Sequence, residues 1–273
     1  EVRRVLAELT ALLRPWAPSL AGVQEMCVAA DDLAARGRYA ARCDATAPDI
    51  APPGAPIVIR RGRHPILLAR GVPVVPFDLI LERGERTVLV SGPNTGGKTV
   101  FLKAVGLLAA LVQSGIVPPL GAGSSLPLFG QIHADIGDHQ SIAADLSTFS
   151  AHMAEVRRIL DRADAATLVL FDEIGSGTDP AEGAALAAAT LTALTERGVT
   201  TVATTHLGTL KELATRIDGV VNASLQFDVA ALAPTYRFQK GVPGRSYGLA
   251  IARRLGLDPA VLAAADALVS TEE

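Results

Sequence analysis

Residues 91–99 read Ser-Gly-Pro-Asn-Thr-Gly-Gly-Lys-Thr, and no other stretch narrows the choice of fold as much. Gly92, four intervening residues and Gly97-Lys98-Thr99 fit the pattern G-x-x-x-x-G-K-[ST]. The apolar run Thr87–Val90 before it reads as a buried strand, and Lys98–Val112 after it reads as a helix. A strand, a glycine-rich loop and a helix in that order form a phosphate-binding unit. Gly92, Gly96 and Gly97 let the backbone turn tightly and aim N–H groups at an anion. The helix N-terminus adds partial positive charge to the same place. Lys98 can reach the β- and γ-phosphates, and the Thr99 hydroxyl can ligate Mg²⁺. The expected ligand is a nucleoside triphosphate.

Composition narrows the class further. The 273 residues are 49% hydrophobic and 19% charged, as expected of a soluble α/β protein with a real core. Only 4% are aromatic, which leaves no stacking platform for single-stranded nucleic acid. The net charge of −3 gives no basic footprint of a stand-alone DNA-binding domain. Cys27 and Cys43 lack zinc spacing and read as two buried structural thiols in a reduced, cytoplasmic compartment. No window reaches the length of a membrane span, and no signal peptide is visible. The chain starts at Glu1 rather than Met, and 259–273 reads as the start of a helix that leads onward, so a fragment of a longer protein is expected.

Along the chain, residues 1–46 have helical spacing, with Val5, Leu9, Leu12 and Leu13 on one face and a second run over Leu20–Tyr39. Residues 47–56 carry four prolines and a glycine and read as a linker or extended connection, which closes a helical appendage over 1–56. From Ile57 the pattern alternates. Strands are expected at Ile57–Ile59, Thr87–Ser91, Leu168–Phe171 and Thr200–Thr204, and helices at Lys98–Val112, Phe149–Leu160, Glu182–Glu196 and Thr209–Thr215. Alternation of this kind predicts a mainly parallel central sheet flanked by helices.

The remaining catalytic candidates sit at strand ends. Thr167–Phe171 is an apolar run delivering Asp172 and Glu173. Asp172 can share the Mg²⁺ with Thr99, and Glu173 can orient or deprotonate the attacking water. Residues 175–180 lead into a helix, with Thr178 or Asp179 as its cap and Pro180 in its first turn; the same loop is a candidate to lie against a second subunit. His206 ends the next strand, and parallel order would bring it to the edge carrying Lys98 and Asp172. There it can sense the γ-phosphate or hold the water.

These motifs together resemble MutS-type ATPases. Gly92-Pro93-Asn94-Thr95-Gly96-Gly97-Lys98-Thr99 resembles their G-P-N-x-G-G-K loop, and Asp145-Leu146-Ser147-Thr148-Phe149-Ser150 their S-T-F signature. Asp172–Thr178 resembles their D-E-x-G-x-G-T run, Thr204-Thr205-His206 their switch histidine, and Ser246-Tyr247-Gly248 and Gly62-Arg63-His64-Pro65 two flanking elements. Thr99 followed by Val100, where mismatch-repair MutS has Ser-Thr, is similar to the bacterial "MutS two" branch, as are residues 137–142 and 147–153. The resemblance covers residues 57–258 and implies a P-loop ATPase of ABC type that uses ATP and Mg²⁺. Residues 1–56 would then be the end of a helical lever. It also implies a homodimer with composite sites, in which Ser147 reaches the γ-phosphate held by the partner, Asn94 senses phosphate or water, and Gln140 joins site to lever. The family's aromatic adenine contact is replaced by Val74-Val75, which leaves Tyr236 as the substitute. Full-length members carry a clamp for branched DNA and a small nuclease domain, with roles in restraining recombination or rescuing collided ribosomes. Those contacts and the nuclease would lie outside this chain.

Rival classes fit less well. Leu146–Ser150 is not the L-S-G-G-Q of transporter ATPases, the N-K-x-D of GTPases is absent, and a small-molecule kinase would lack the paired acids with a downstream histidine. A nucleotide-gated clamp without turnover and a mismatch-repair MutS ATPase stay as alternatives, with Glu173 favouring turnover. Arg60, Arg61, Arg63 and His64 form a basic cluster that reads as a solvated loop rather than a nucleic-acid surface.

Overall fold

The computed structural model describes residues 1–93, 96–137, 145–228, 230–231, 233–244 and 247–270, with the side chains of 145–148 and 269–270 outside that set. At its centre lie β4 (Thr87–Ser91), β7 (Thr167–Phe171) and β8 (Thr200–Thr205), in which every residue is buried. Their β-branched and apolar residues suit a sheet covered on both faces. With β6 (Gln131–Asp135), β9 (Val220–Asp228) and β10 (Ala233–Lys240) they form a six-stranded sheet ordered β10-β9-β4-β8-β7-β6. Only the β9–β10 pairing is antiparallel. The mainly parallel sheet expected from the strand–helix alternation is therefore observed, with β6, β9 and β10 added to it.

Alternate residues of these strands face two cores. Val88, Val90, Leu168 and Leu170 pack with Phe101, Leu102, Val105 and Leu108 of α4 (Lys98–Gln113). Leu89, Val169 and Phe171 pack with Val156 and Ile159 of α5 (Asp145–Arg162) and with Ala187, Leu191 and Leu194 of α6 (Pro180–Glu196). Helix α6 starts at a satisfied cap: Asp179 Oδ1 accepts from the N–H groups of Ala181 at 2.9 Å and Glu182 at 3.2 Å, with Pro180 at the first helical position.

A second sheet lies on the α4 side. It comprises β1 (Asp49–Ala51), β5 (Ser125–Pro127), β2 (Val58–Gly62) and β3 (Phe77–Ile80), in that spatial order. Ile57, Ile59 and Leu79 enter the same core as α4. Two expectations are decided here. Of the linker or extended connection expected at 47–56, the structure shows an extended segment, Asp49–Ala51, paired in parallel with Ser125–Pro127. The Arg60–His64 cluster is solvated only in part: Arg60 and Arg61 keep exposed side chains but lie on β2, where the main-chain N–H of Arg60 bonds Ser124 Oγ at 3.0 Å and that of Arg61 bonds Asp78 Oδ1 at 2.6 Å. Arg63 Nη2 grips the carbonyls of Cys43 and Asp44, each at 2.7 Å. His64 is buried and caps α3 (Pro65–Ala69) through Nδ1.

The N-terminal helices α1 (Val2–Leu13) and α2 (Ala17–Arg42) bury no residue. Helix α2 meets the body at its C-terminal end, where Arg36 Nη1 donates to Ser114 O at 2.7 Å and Gly115 O at 3.1 Å, at the end of α4. Of the two thiols expected to be buried, Cys43 is and Cys27 is exposed, since it lies on this uncovered helix. The run expected as a helix at Thr209–Thr215 is a 3₁₀ turn, Gly208–Glu212, followed by the short α7 (Leu213–Arg216). Two further helices, α8 (Gly248–Arg254) and α9 (Pro259–Ser270), close the described chain. Among the described residues no helix is long and apolar enough to cross a membrane.

Candidate functional site

Strand order decides which side chains meet. Strand β8 lies between β4 and β7, with Thr205 in register with Ser91 and Ala203 with Phe171. The loop after β4, the acids after β7 and His206 after β8 therefore emerge along one edge, where open α/β sheets bind ligands.

Gly97 begins α4 in a left-handed conformation, with φ of 86°, and Gly92 has φ of 134°, so glycine is required at both turns. Lys98 follows at 2% exposure. Its ammonium donates to Gly92 O and to Thr205 O, the latter at 3.5 Å, and so ties the loop to β8. Burial pushes the Lys98 pKa below the usual lysine value, while Glu173 and Asp172 pull it back up. A buried cation opposed by two nearby carboxylates, at a helix N-terminus, is chemistry suited to a polyanion.

Thr204, buried on β8, organises the acids. Its Oγ1 donates to Asp172 Oδ1 at 2.6 Å and accepts the main-chain N–H of Glu173 at 2.8 Å. The N–H of Asp172 donates to Asp135 O at 2.9 Å, and that of Ile174 to Thr204 O at 2.9 Å. Glu173 itself sits at φ of 51°, a conformation costly for a residue with a Cβ and held here by these bonds. The turn beyond is clamped on α6, for a Cβ on Gly175 would lie 2.6 Å from Gly183 O.

On the other side of α4 a cavity of about 350 Å³ opens between Val74, Val75, Phe77, Gly97, Val100 and Tyr236. Tyr236 lies so close to Gly97 that a Cβ there would be 2.9 Å from its Cδ1. The cavity is mostly apolar and lies beside Gly97, Val100 and Phe101 at the first turn of α4.

The structure thus gathers Gly92, Pro93, Gly96, Gly97, Lys98, Thr99, Val100, Asp172, Glu173, His206 and Tyr236 around one edge, with His206 exposed. Ser147 is apart from them: it lies in the first turn of α5, across the central sheet from α4. Asn94, Thr95, Gln140 and Ser246 lie outside the described residues, as does the side chain of Ser147.

Among the described residues no three His, Cys, Asp or Glu side chains cluster as a self-sufficient metal site. A hydroxyl and one carboxylate beside a phosphate cradle instead fit Mg²⁺, which keeps several waters and takes phosphate oxygens as ligands.

Three contributors escaped the sequence reading. Thr204 was visible only as a strand-end threonine, and its partners come from a strand over thirty residues away. Asp135 supplies the carbonyl beneath Asp172. Gly244 lies on the loop itself, where its N–H bonds Ser91 Oγ at 2.8 Å and a Cβ would be 2.3 Å from Ser91 O.

Residues 88–272 match the family model described as MutS domain V. The protein called "Endonuclease MutS2" in Gemmatimonas aurantiaca is 58% identical over 266 residues, covering 97% of this chain and 32% of that protein. The protein of the same name in Pelotomaculum thermopropionicum is 47% identical over 272 residues, covering 100% of this chain and 34% of that protein. The chain spans about a third of the length of these relatives.

Proposed function

This chain belongs to the MutS domain V family, and on that premise we propose that it is the ATP-binding and ATP-hydrolysing domain of a MutS2 protein. The observation that carries the reading is the convergence of Lys98, Asp172 and Glu173 on one sheet edge, with Thr204 holding both acids.

In this reading the amides of Gly97 and Lys98 receive the phosphates at the start of α4, and the Lys98 ammonium turns from main-chain carbonyls to the β- and γ-phosphate oxygens. Thr99 and Asp172 would hold Mg²⁺, which would supply charge neutralisation to the phosphates. Glu173 accepts a proton from the water that attacks the γ-phosphorus, in line with the leaving ADP oxygen. Its left-handed backbone, fixed by Thr204, sets where that carboxylate points. His206, one residue beyond β8, contacts the γ-phosphate or the water. The base enters the cavity bounded by Val74, Val75 and Tyr236. Asn94 senses the phosphate, and Ser147 of a second copy reaches the γ-phosphate to complete an ABC-type composite site.

ATP-driven dimerisation would then be coupled, through the helices of residues 1–56, to branched DNA or a stalled ribosome held by other parts of a cytoplasmic protein. The nuclease in the relatives' names is assigned to those other parts.

Glu173→Gln is the test. ATP binding should persist while steady-state hydrolysis falls at least a hundredfold, as loss of a general base requires. Unchanged hydrolysis would remove Glu173 from the mechanism. Binding without hydrolysis in the unaltered full-length protein would instead favour a non-turnover clamp.

A further inference from the structure

Asp135 is the last residue of β6, and His152 lies in the second turn of α5; both are buried, at 8% and 9% exposure. His152 Nδ1 pairs with Asp135 Oδ2. The same two residues also grip the strand carrying the acids. Asp135 O accepts the N–H of Asp172 at 2.9 Å, and the His152 ring meets the ring of Phe171, the residue before Asp172, edge-on at a centroid distance of 6.3 Å. His152 Nε2, equally buried, has no hydrogen-bond partner among the described residues.

We propose that His152 and Asp135 form a positioning pair that locks the helix bearing the Ser147 segment to the strand end bearing Asp172 and Glu173. The pair joins the last residue before the β6–α5 connection to the helix that follows it. His152 is five residues beyond Ser147, about 7.5 Å along the helix axis at the usual rise per residue. A shift of α5 therefore moves Asp135 and, through its carbonyl, the main chain of Asp172. The placement rests on Ser147 acting on a second subunit's nucleotide, as proposed above. Association of two copies would then be felt at the acids of the same chain through one buried contact.

The chemistry of the pair supports a role beyond stability. A buried polar pair recovers little more than its own desolvation, and well-packed apolar residues of similar size commonly serve stability as well or better. What such a pair adds is a single directional geometry, which apolar side chains do not enforce.

The test uses the intact full-length protein and the variant Asp135→Ala/His152→Met, which removes both polar partners and nearly keeps their combined volume. We expect it to melt at or above the unaltered protein and to bind a fluorescent ATP analogue within twofold of normal affinity. Its kcat for ATP hydrolysis should fall at least tenfold with KM nearly unchanged, and ATP-dependent subunit association should weaken. A stable variant with kcat within twofold of normal overturns the proposal. Should the double variant not fold, Asp135→Asn serves, with an expected loss of at least threefold in kcat; full activity overturns the proposal equally. Ser147→Ala runs in parallel: unchanged hydrolysis and association there would overturn the second-subunit role, whereas normal turnover in the paired variant overturns only the positioning pair.

Discussion

Replacing Thr204 by valine keeps its shape and β-branching and removes one oxygen. That oxygen makes two bonds, donating to the Asp172 carboxylate at 2.6 Å and accepting from the Glu173 N–H at 2.8 Å. A hydrogen bond to a charged group contributes about 1.5–3 kcal/mol, and an amide left unpaired in a buried place costs about 1–3 kcal/mol. The added methyl returns about 0.8 kcal/mol by burial. The net loss is about 2–5 kcal/mol, and because both bonds are only part-buried it falls at the low end; about 2 kcal/mol lowers Tm by roughly 4–8 °C for a domain of this size. Turnover should suffer more than stability. Glu173 loses the bond that holds its left-handed backbone, and misplacing a general base removes part of the roughly 10²–10⁴-fold it contributes. We expect kcat to fall between tenfold and a hundredfold in a steady-state phosphate-release assay, with ATP affinity nearly unchanged. Thr204→Ser retains both bonds and should keep kcat within about threefold. Near-normal turnover in the valine variant, or equal damage from serine, would refute the assignment of Thr204 as the organiser of the acids.

Two other predictions concern the loop and its flank. Gly97→Ala puts a Cβ 2.9 Å from Tyr236 at a φ of 86°, so it costs about 1–2 kcal/mol of left-handed strain and displaces the tyrosine; ATP titration should show at least tenfold weaker binding, and Tyr236→Ala added to it should recover the clash but not the strain. Burial, with the charge of Lys103 adding to it, holds His64 below its usual pKa of 6.5. The unfolded chain then binds more protons just below pH 6.5, so stability is full above that value and declines as pH falls through the lowered pKa. His133, also held low by burial, adds to the same slope. Denaturant melts from pH 7.5 to 5 should show this loss, and His64→Asn, which can still accept from Leu67 N–H, should flatten it; an unchanged slope in that variant would remove His64 as its source.

Local chemistry made much of this site legible before any fold was known. The phosphate loop needs only a strand, a few glycines and a helix in sequence, and these neighbours on the chain are neighbours in space. The acids after Thr167–Phe171 and the cap at Asp179 are equally local. Less could be read where pairing is distant. Asp49–Ala51 sits among prolines and becomes a strand only because Ser125–Pro127 runs beside it. Strand β9 mixes exposed and buried positions and β10 has only half-buried and exposed ones, so neither has the continuous apolar run that marked β4 and β7. Of the basic residues at 60–63, Arg60 and Arg61 are exposed as expected, whereas the Arg63 guanidinium is bound by the carbonyls at 43–44, which nothing nearby in sequence announced.

By itself, then, the sequence determined the inventory: a phosphate cradle, a buried lysine, two acids, a strand-end histidine and the alternation that builds a parallel sheet. Tertiary structure decided their joining. Only the order β4-β8-β7 places Thr204 against Asp172 and Glu173, turns Lys98 toward Thr205 O, and sets Asp135 and His152 beneath the acids. The physical reason is one of range. Propensity, capping and turn geometry act over a few residues, whereas a hydrogen bond between β7 and β8 exists only after two strands more than thirty residues apart have found their register.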